Sequence, residues 1–461
     1  MSTALEEAEA RLREDGASEA TVAAFARFHG MLESGVAGMI PESSIEPVGS
    51  LPDADDLPEP GDGIAGLLDG TVVLKLNGGL GTGMGMTRAK SLIEAREGLT
   101  FIDVIARQVL RIRERTGARL PLVLMNSFAT REDTLAELSD HAGIASDLPL
   151  DFLQGRVPKL RADDLRPVRW PDDPSHEWTP PGHGDLYPAL VGSGLLGRMR
   201  SAGYRRLFVS NADNLGATLD LRILDWFASA GIPFLMEVAD RTEADRKGGH
   251  LAMRSDGGLI LREVAQCPPD DGDSFQDVAR HRFFNTNSLW IDLDALAARL
   301  DAGSGVLDLP MIVNRKTVDP GDPDSTPVIQ LESAMGAAIG LFEGAAALRV
   351  PRSRFAPVKT TSDLLVLRSD ACRLTGEGQV VLVDERDGIP PVVDLDPSRF
   401  RLLADFDERF PEGVPSLVRC ERLTVRGDVT FGADVVIEGS VEIDEAIVGP
   451  RIEPGSVISG R

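Results

Sequence analysis

The sequence predicts an α/β fold, with a largely parallel sheet over roughly residues 64–375 and a smaller β-rich module at the C-terminus. Three observations carry that expectation. Short apolar runs alternate with helix-period segments through the middle of the chain, the pattern of βαβ units. The first of these runs leads straight into a glycine-rich loop. From Leu417 onward the text changes to Val or Ile at every second residue, with Gly-Asp and Gly-Ala steps between.

Residues 4–38 carry Leu, Ala, Val and Phe at mixed helical spacing, and "LREDG" is the expected break between helices. From Pro41 to Gly63 the chain is rich in Pro, Asp and Gly, which predicts an extended crossing segment rather than packed core. Together they form an N-terminal unit, 1–63. "TVVLKL" (Thr71–Leu76) is the first buried strand, followed by "LPLVLMN", "RLFVSN", "IPFLMEV" and "NSLWIDL". Helical patterns such as "LTFIDVIARQVLRIRERTG" and "LDLRILDWFASAG" separate several of them. A third unit, 376–461, joins a linker to the short rungs of the tail, which predict a small β-helix. The pattern alone fits an ordinary antiparallel β-domain almost as well. Exposed rungs at the terminus would offer a surface for homo-oligomerisation.

Composition removes whole classes of function. The 461 residues include 48 Lys and Arg against 73 Asp and Glu, a net charge of −25, which argues against a general nucleic-acid binder. No stretch approaches the ~18 uninterrupted apolar residues of a membrane span. Met1 to Ala10 lacks the basic and apolar regions of a signal peptide. Cys267, Cys372 and Cys420 match no zinc spacing, so a reducing cytoplasm is the expected compartment. Of the 48 basic residues only six are lysines: Lys75, Lys90, Lys159, Lys247, Lys316 and Lys359. Base composition alone explains such a bias. If arginine has replaced lysine wherever the surface is indifferent, the remaining lysines are enriched at sites that need a compact ammonium.

The loop "LNGGLGTGMG" (Leu76–Gly85) places five glycines in ten residues after a strand, so backbone N–H groups can converge on phosphate oxygens. It is neither a Walker A motif nor a dinucleotide fingerprint. Lys90 follows within reach of bound phosphates, and loop and lysine together favour nucleotide chemistry over an ordinary turn. "WTPPGHGDLY" (Trp178–Tyr187) presents His183 from a tightly constrained loop as a contact for a phosphate or sugar oxygen. "VSNADNLGATLD" sets Asn211, Asp213 and Asn214 at the C-terminal end of a predicted strand, where ligands bind in open α/β sheets. Asp213 is thereby a candidate Mg²⁺ ligand. The same residue types suit an Asn/Asp turn capping the next helix, and the two readings weigh about evenly. Glu263, Asn285 and Asn287, polar residues in apolar surroundings, suit sugar hydroxyls. "VPRSRFAPVKTTSDLL" gathers Arg352, Arg354 and Lys359, which in so acidic a chain points to a local anion, or to a salt-bridged surface segment.

These segments resemble the eukaryotic-type UTP–glucose-1-phosphate uridylyltransferases, the UDP-glucose pyrophosphorylase family. The resemblance rests on "LESGVAGMIPESSIEPV", "KLNGGLGTGMG", "AKSLIEAREGLTFIDV", "PLVLMNSF", "WTPPGHGDLY", "VSNADNLGATLD", "MEVADRTEADRKGGHL", "FNTNSLWI", "VIQLESAMGAAI" and "VPRSRFAPVKTTSDLL", in family order over most of residues 32–370. It implies a Rossmann-like nucleotidyltransferase domain with a mainly parallel, mixed sheet. It also implies in-line attack of glucose 1-phosphate on the α-phosphorus of UTP with Mg²⁺, and no covalent intermediate. By the same resemblance, the backbone of Leu76, Asn77, Gly78 and Gly79 holds the nucleotide and Lys90 contacts its triphosphate. Met125, Gln154 and Gly182 frame the uracil, Asp213 binds Mg²⁺, and His183, Asn211, Glu263 and Asn287 hold the sugar phosphate. Lys359 neutralises charge at the transferred phosphorus, so Lys90 and Lys359 are the catalytic pair. Arg88-Ala89 replaces the family's usual Gly-Pro, and Leu153 and Gly155 replace its usual Asn and Ser beside Gln154. Two alternatives stand beside this: a UDP-N-acetylhexosamine or broad UDP-sugar pyrophosphorylase on the same scaffold, and a catalytically silent UDP-sugar-binding subunit.

Overall fold

The structure, a computed structural model, describes residues 3–36 and 38–460. The expectations for 1–63 and 376–461 therefore include four positions, 1, 2, 37 and 461, that lie outside the described residues. Two helices open the chain, α1 (Thr3–Glu14) and α2 (Glu19–Glu33). They part at the expected step, where Gly16 takes φ 80° and the Ser18 hydroxyl accepts the Thr21 N–H at 3.1 Å to start α2. The following segment is extended but does more than cross the core. Its strand β1 (Ile45–Pro47) pairs along the edge of the main sheet, and Ile45 is buried, because an apolar residue there can cover Ala252.

The central strands follow in chain order: β2 (Thr71–Asn77), β3 (Leu122–Asn126), β4 (Asp151–Leu153), β5 (Arg206–Asn211), β6 (Phe234–Asp240), β7 (His250–Arg254), β8 (Leu259–Arg262), β9 (Phe283–Asp292) and β10 (Ala346–Arg349). With β1 they make one ten-stranded mixed sheet. Its site-bearing half, in the order β5-β2-β3-β4, is parallel throughout. Antiparallel β9 then joins β5 to β6, and β6 runs parallel to β10. The chain leaves β2 with β3 on one side and β5 on the other, so the crevice between β2 and β5 is a topological switch point.

Alternation along β2 divides the core. Val73 faces one side, with Leu124, Phe208, Leu235 and helices α3 (Phe101–Thr116) and α4 (Leu221–Ser229). Val72 and Leu74 face the other, with Val123, Val209, Leu289 and the N-terminal helices. Helix α3 is fixed at its start by a reciprocal Thr100–Asp103 cap and stops at Gly117, φ 70°. Past helix α5 (Thr361–Arg368), strands β11 (Val392–Leu395), β12 (Cys420–Arg426), β13 (Val436–Asp444) and β14 (Val457–Ser459) pair in succession. All of these pairings are parallel. Their inward residues Leu423, Val425, Ile437 and Ile443 continue the Val73-side core without a break. The Thr361 hydroxyl donates to the Phe400 carbonyl at 2.7 Å, and the Leu395 N–H donates to the Ser362 hydroxyl at 3.2 Å, fastening this module to α5. Among the described residues no helix is long and apolar enough to cross a membrane.

Candidate functional site

The carboxyl ends of β5, β2, β3 and β4 bring Asn211, Asn77, Asn126 and Leu153 onto one edge, in register: Asn211 opposite Leu76, Asn77 opposite Asn126, Asn126 opposite Leu153. Asn77 is buried; its amide donates to Asn126 Oδ1 at 2.8 Å and to the Thr134 hydroxyl at 3.0 Å. Its side-chain donor is therefore committed within the protein. Leu76 and Asn211 are partly exposed beside it.

From Gly78 the glycine loop folds back on itself. Leu80 bridges Ala89, and the Lys90 N–H donates to the Gly79 carbonyl at 3.2 Å, which places the Lys90 side chain over the crevice. Lys90 Nζ donates to Asp213 Oδ2 at 2.8 Å. The other carboxylate oxygen, Asp213 Oδ1, is buried and has no hydrogen-bond partner among the described residues. A single carboxylate with one lone oxygen, next to the glycine loop, fits a Mg²⁺ that would take its remaining ligands from other oxygen donors and water. No cluster of three or more His, Cys, Asp or Glu suited to a metal occurs among the described residues.

The Val358 N–H donates to the Asp213 carbonyl at 3.1 Å, so Lys359 follows directly beside the Asp213 turn. Lys359 is exposed, and its ammonium acts on Glu263. Burial holds the Glu263 carboxyl above the usual carboxylate range, while Lys359 opposes that shift. Glu263 lies against Gly249, where a Cβ would collide with its carboxylate, and the Gly249 carbonyl accepts the Asn285 N–H at 3.3 Å. Asn285 and Asn287 sit at a bulge in β9, where the register against β6 slips between Glu237 and Val238. Asn287 is left-handed there, φ 59°. Asn285 Nδ2 donates to Asn287 Oδ1 at 2.8 Å, and the Asn287 N–H donates to Asn285 Oδ1 at 2.9 Å.

Gly336 packs on Asn285, and next to it the Met335 N–H donates to His183 Nδ1 at 3.1 Å. That donor fixes the tautomer, leaving His183 Nε2–H to face outward as a donor. Burial pushes the His183 imidazole down to about 4, so the ring is neutral at neutral pH. The preceding Gly182, φ 76°, has no room for a side chain against the Ser333 backbone. Its carbonyl accepts Gln154 Nε2 at 3.1 Å, and Gln154 Oε1 lies where a Cβ on Gly78 would be. The contacts run from Gly78–Gly79 through Lys90 and Asp213 to Lys359, and from Glu263 through Asn285, His183 and Gln154 back to Gly78, with Lys359 and Glu263 linked by charge alone and closing the circuit.

Met125 pairs with Leu76 next to the carboxyl edge of the sheet, but its side chain is 1% exposed in the core. The basic cluster also divides. Arg352 pairs with Asp245 at 2.7 Å, and Arg354 grips buried Glu237 at 2.7 and 2.8 Å. The expectation of an anion partner therefore fails for both arginines, because carboxylates of this chain already neutralise them, as a salt-bridged segment would have it; Lys359 alone of the three stays open. Lys75 is likewise structural: fully covered, it donates to the Ser210 hydroxyl at 2.6 Å and the Ala217 carbonyl at 2.7 Å. Lys159 donates to the Val318 carbonyl at 3.0 Å. Rarity of lysine was thus a poor guide, since a compact ammonium also suits buried carbonyls.

Sequence reasoning missed Asp185. Its buried carboxylate accepts the Gly155 N–H at 2.6 Å and so pins the residue after Gln154. Its place two residues after His183 in a dense motif was the available signal.

The model of the family described as UTP–glucose-1-phosphate uridylyltransferase matches residues 24–438. The chain belongs to this family. Relatives of that description include one from Solanum tuberosum, 41% identical over 86% of this chain and 81% of its own length. Another, from Saccharomyces cerevisiae, is 43% identical over 80% of this chain and 73% of its own. Among solved structures, a point mutant of the UDP-glucose pyrophosphorylase from Leishmania major in complex with UDP-glucose superposes with a TM-score of 0.93. It is 45% identical, covering 100% of this chain and 99% of that one. A protein from Trypanosoma brucei described as a UDP-glucose phosphorylase gives a TM-score of 0.90 at 46% identity, over 99% and 98% of the two chains.

Proposed function

We propose that this family member is a UTP:glucose-1-phosphate uridylyltransferase, forming UDP-glucose and pyrophosphate. The observation that carries the reading is the closed circuit. It joins a base-selective amide, a phosphate-binding glycine loop with two lysines, and a polar pocket for a sugar, in the order of a nucleotide sugar. The solved relative that binds UDP-glucose supports the same assignment.

Gln154 reads the base. With one Nε2 proton committed to Gly182, its Oε1 accepts from uracil N3–H and its second proton donates to a uracil carbonyl; cytosine lacks that N3–H. Backbone N–H groups of the 76–79 loop and the Lys90 ammonium hold the triphosphate. His183 Nε2–H, Asn211, Asn287 and Glu263 hold the sugar phosphate and turn its oxygen toward the α-phosphorus. That oxygen forms the new P–O bond as the bond to pyrophosphate breaks on the opposite side. Lys359 stands where charge gathers on the transferred phosphoryl oxygens, and positioning plus charge stabilisation supply the rate. Asp213, through its lone Oδ1, would hold a Mg²⁺ that neutralises phosphate charge when bound.

We read the parallel succession β11-β12-β13-β14 as a short β-helix. Its last strand, with Val457 60% exposed, presents an unpaired edge that a second copy would cover. A reducing cytoplasm, in which Cys267, Cys372 and Cys420 stay free thiols, is the compartment we propose.

Pyrophosphate release from UTP with a panel of sugar 1-phosphates tests the activity. Release with glucose 1-phosphate is expected. Release only with N-acetylglucosamine 1-phosphate would move the assignment to a hexosamine enzyme, and UDP-glucose binding without release would leave a silent binding subunit.

A further inference from the structure

We infer that Asn214 is the positioning residue that sets Lys359 against Asp213, an inference that rests on the role of Lys359 proposed above. Asn214 is 2% exposed and uses its whole amide on one neighbouring segment and its own turn. Nδ2 donates to the Arg354 carbonyl at 3.1 Å. Oδ1 accepts the Ala356 N–H at 3.0 Å and the Gly216 N–H at 3.2 Å. With the Val358 N–H on the Asp213 carbonyl at 3.1 Å, residues 354–358 lie as an antiparallel bridge along the turn after β5, Asn214 opposite Pro357.

The approach is close. At Gly216 a Cβ would run into the Ser353 carbonyl, so any side chain there would lift the segment away. The far end of the segment is clamped by Arg354, which holds Glu237 and also donates to the Thr218 carbonyl at 2.9 Å. Between that clamp and α5, the Asn214 amide and the Asp213 carbonyl are what hold the strand against the turn. The residue that pairs with Lys90 through its carboxylate thereby carries the Lys359 segment on its backbone, and both ammonium groups are referenced to one turn. The amide supplies a donor for Arg354 and an acceptor for Ala356 together. A carboxylate would lose the donor and leave a buried carbonyl unpaired.

Asn214 touches no reacting atom, so its contribution passes through Lys359, and a double-mutant cycle reads that dependence. Asn214→Ala is expected to lower kcat roughly tenfold or more, with KM for UTP and glucose 1-phosphate held within about twofold. In a Lys359→Met background the same change is expected to cost almost nothing further. A role in folding alone would instead give equal losses in both backgrounds, and that result, or unchanged kcat in Asn214→Ala, overturns the inference. Wild-type turnover in Lys359→Met alone overturns the proposed role of Lys359, and the inference with it. Should Asn214→Ala fail to fold, isosteric Asn214→Asp, which keeps the acceptor for Ala356, enters the same cycle with the same criteria.

Discussion

At the scale of single residues, the site relies on groups held away from their usual protonation. Burial pushes the Asp185 carboxyl up to about 7, opposed only in part by the Gly155 N–H. In the unfolded chain this carboxyl loses its proton near pH ~4, so between about 4 and 7 the unfolded state is deprotonated while the folded one keeps the proton. The folded state therefore binds more protons across that window, and stability falls as pH rises through it, levelling off above 7. Asp185→Asn keeps an acceptor for Gly155 and removes the titration. Urea midpoints at pH 5 and pH 8 should show the variant gaining on the wild type toward the higher pH. A difference independent of pH would place the carboxyl in water. Glycines act at the same scale by what they exclude: Gly78 leaves the space that Gln154 Oε1 occupies.

Among the elements, β9 is the most informative. The run "FFNTNSLWI" reads as a strand with polar residues embedded, and the strand was legible. The bulge was not, because it arises from the register against β6 and not from local text. Asn287 is the residue left in the left-handed region, where the asparagine side chain is tolerated better than most. Asn287→Gly relieves that backbone while deleting the amide. It is expected to fold as stably as the wild type, raise KM for glucose 1-phosphate, and leave KM for UTP unchanged. An equal rise in both KM values would make the bulge a general scaffold rather than a sugar contact. The strand-to-loop steps after β2 and β5 were readable from glycine spacing and Asn/Asp clusters. The helix-capping reading of "NADN" fails, because Asp220 caps α4 by accepting the Arg222 and Ile223 N–H groups, while Asn214 satisfies only its own turn and Asp213 Oδ1 stays without a partner among the described residues. The destinations of Arg352 and Arg354 were invisible, since their carboxylate partners lie about a hundred residues away in sequence.

Across the whole molecule, a chain of net charge −25 must admit a triphosphate and a sugar phosphate. Its global field opposes both, within the ~8 Å reach left by physiological salt, and attraction has to come from local groups, proposed here as the loop amides, Lys90 and Lys359. Those groups come from loops as far apart in sequence as Gly79 and Lys359, seated on a sheet whose core on one face runs on into the C-terminal strands. The parallel α/β architecture was legible from alternating runs. The sharing of one core by the central sheet and the tail was not, because periodicity identifies buried faces without saying what buries them. The reaction proposed for this site is direct displacement of pyrophosphate by the sugar phosphate oxygen. The stereochemical course at phosphorus tests that claim most directly, using UTP made chiral at its α-phosphorus by a single thio substitution. UDP-glucose with inverted configuration is the result predicted. Retained configuration would require two displacements through a covalent intermediate and would contradict the account.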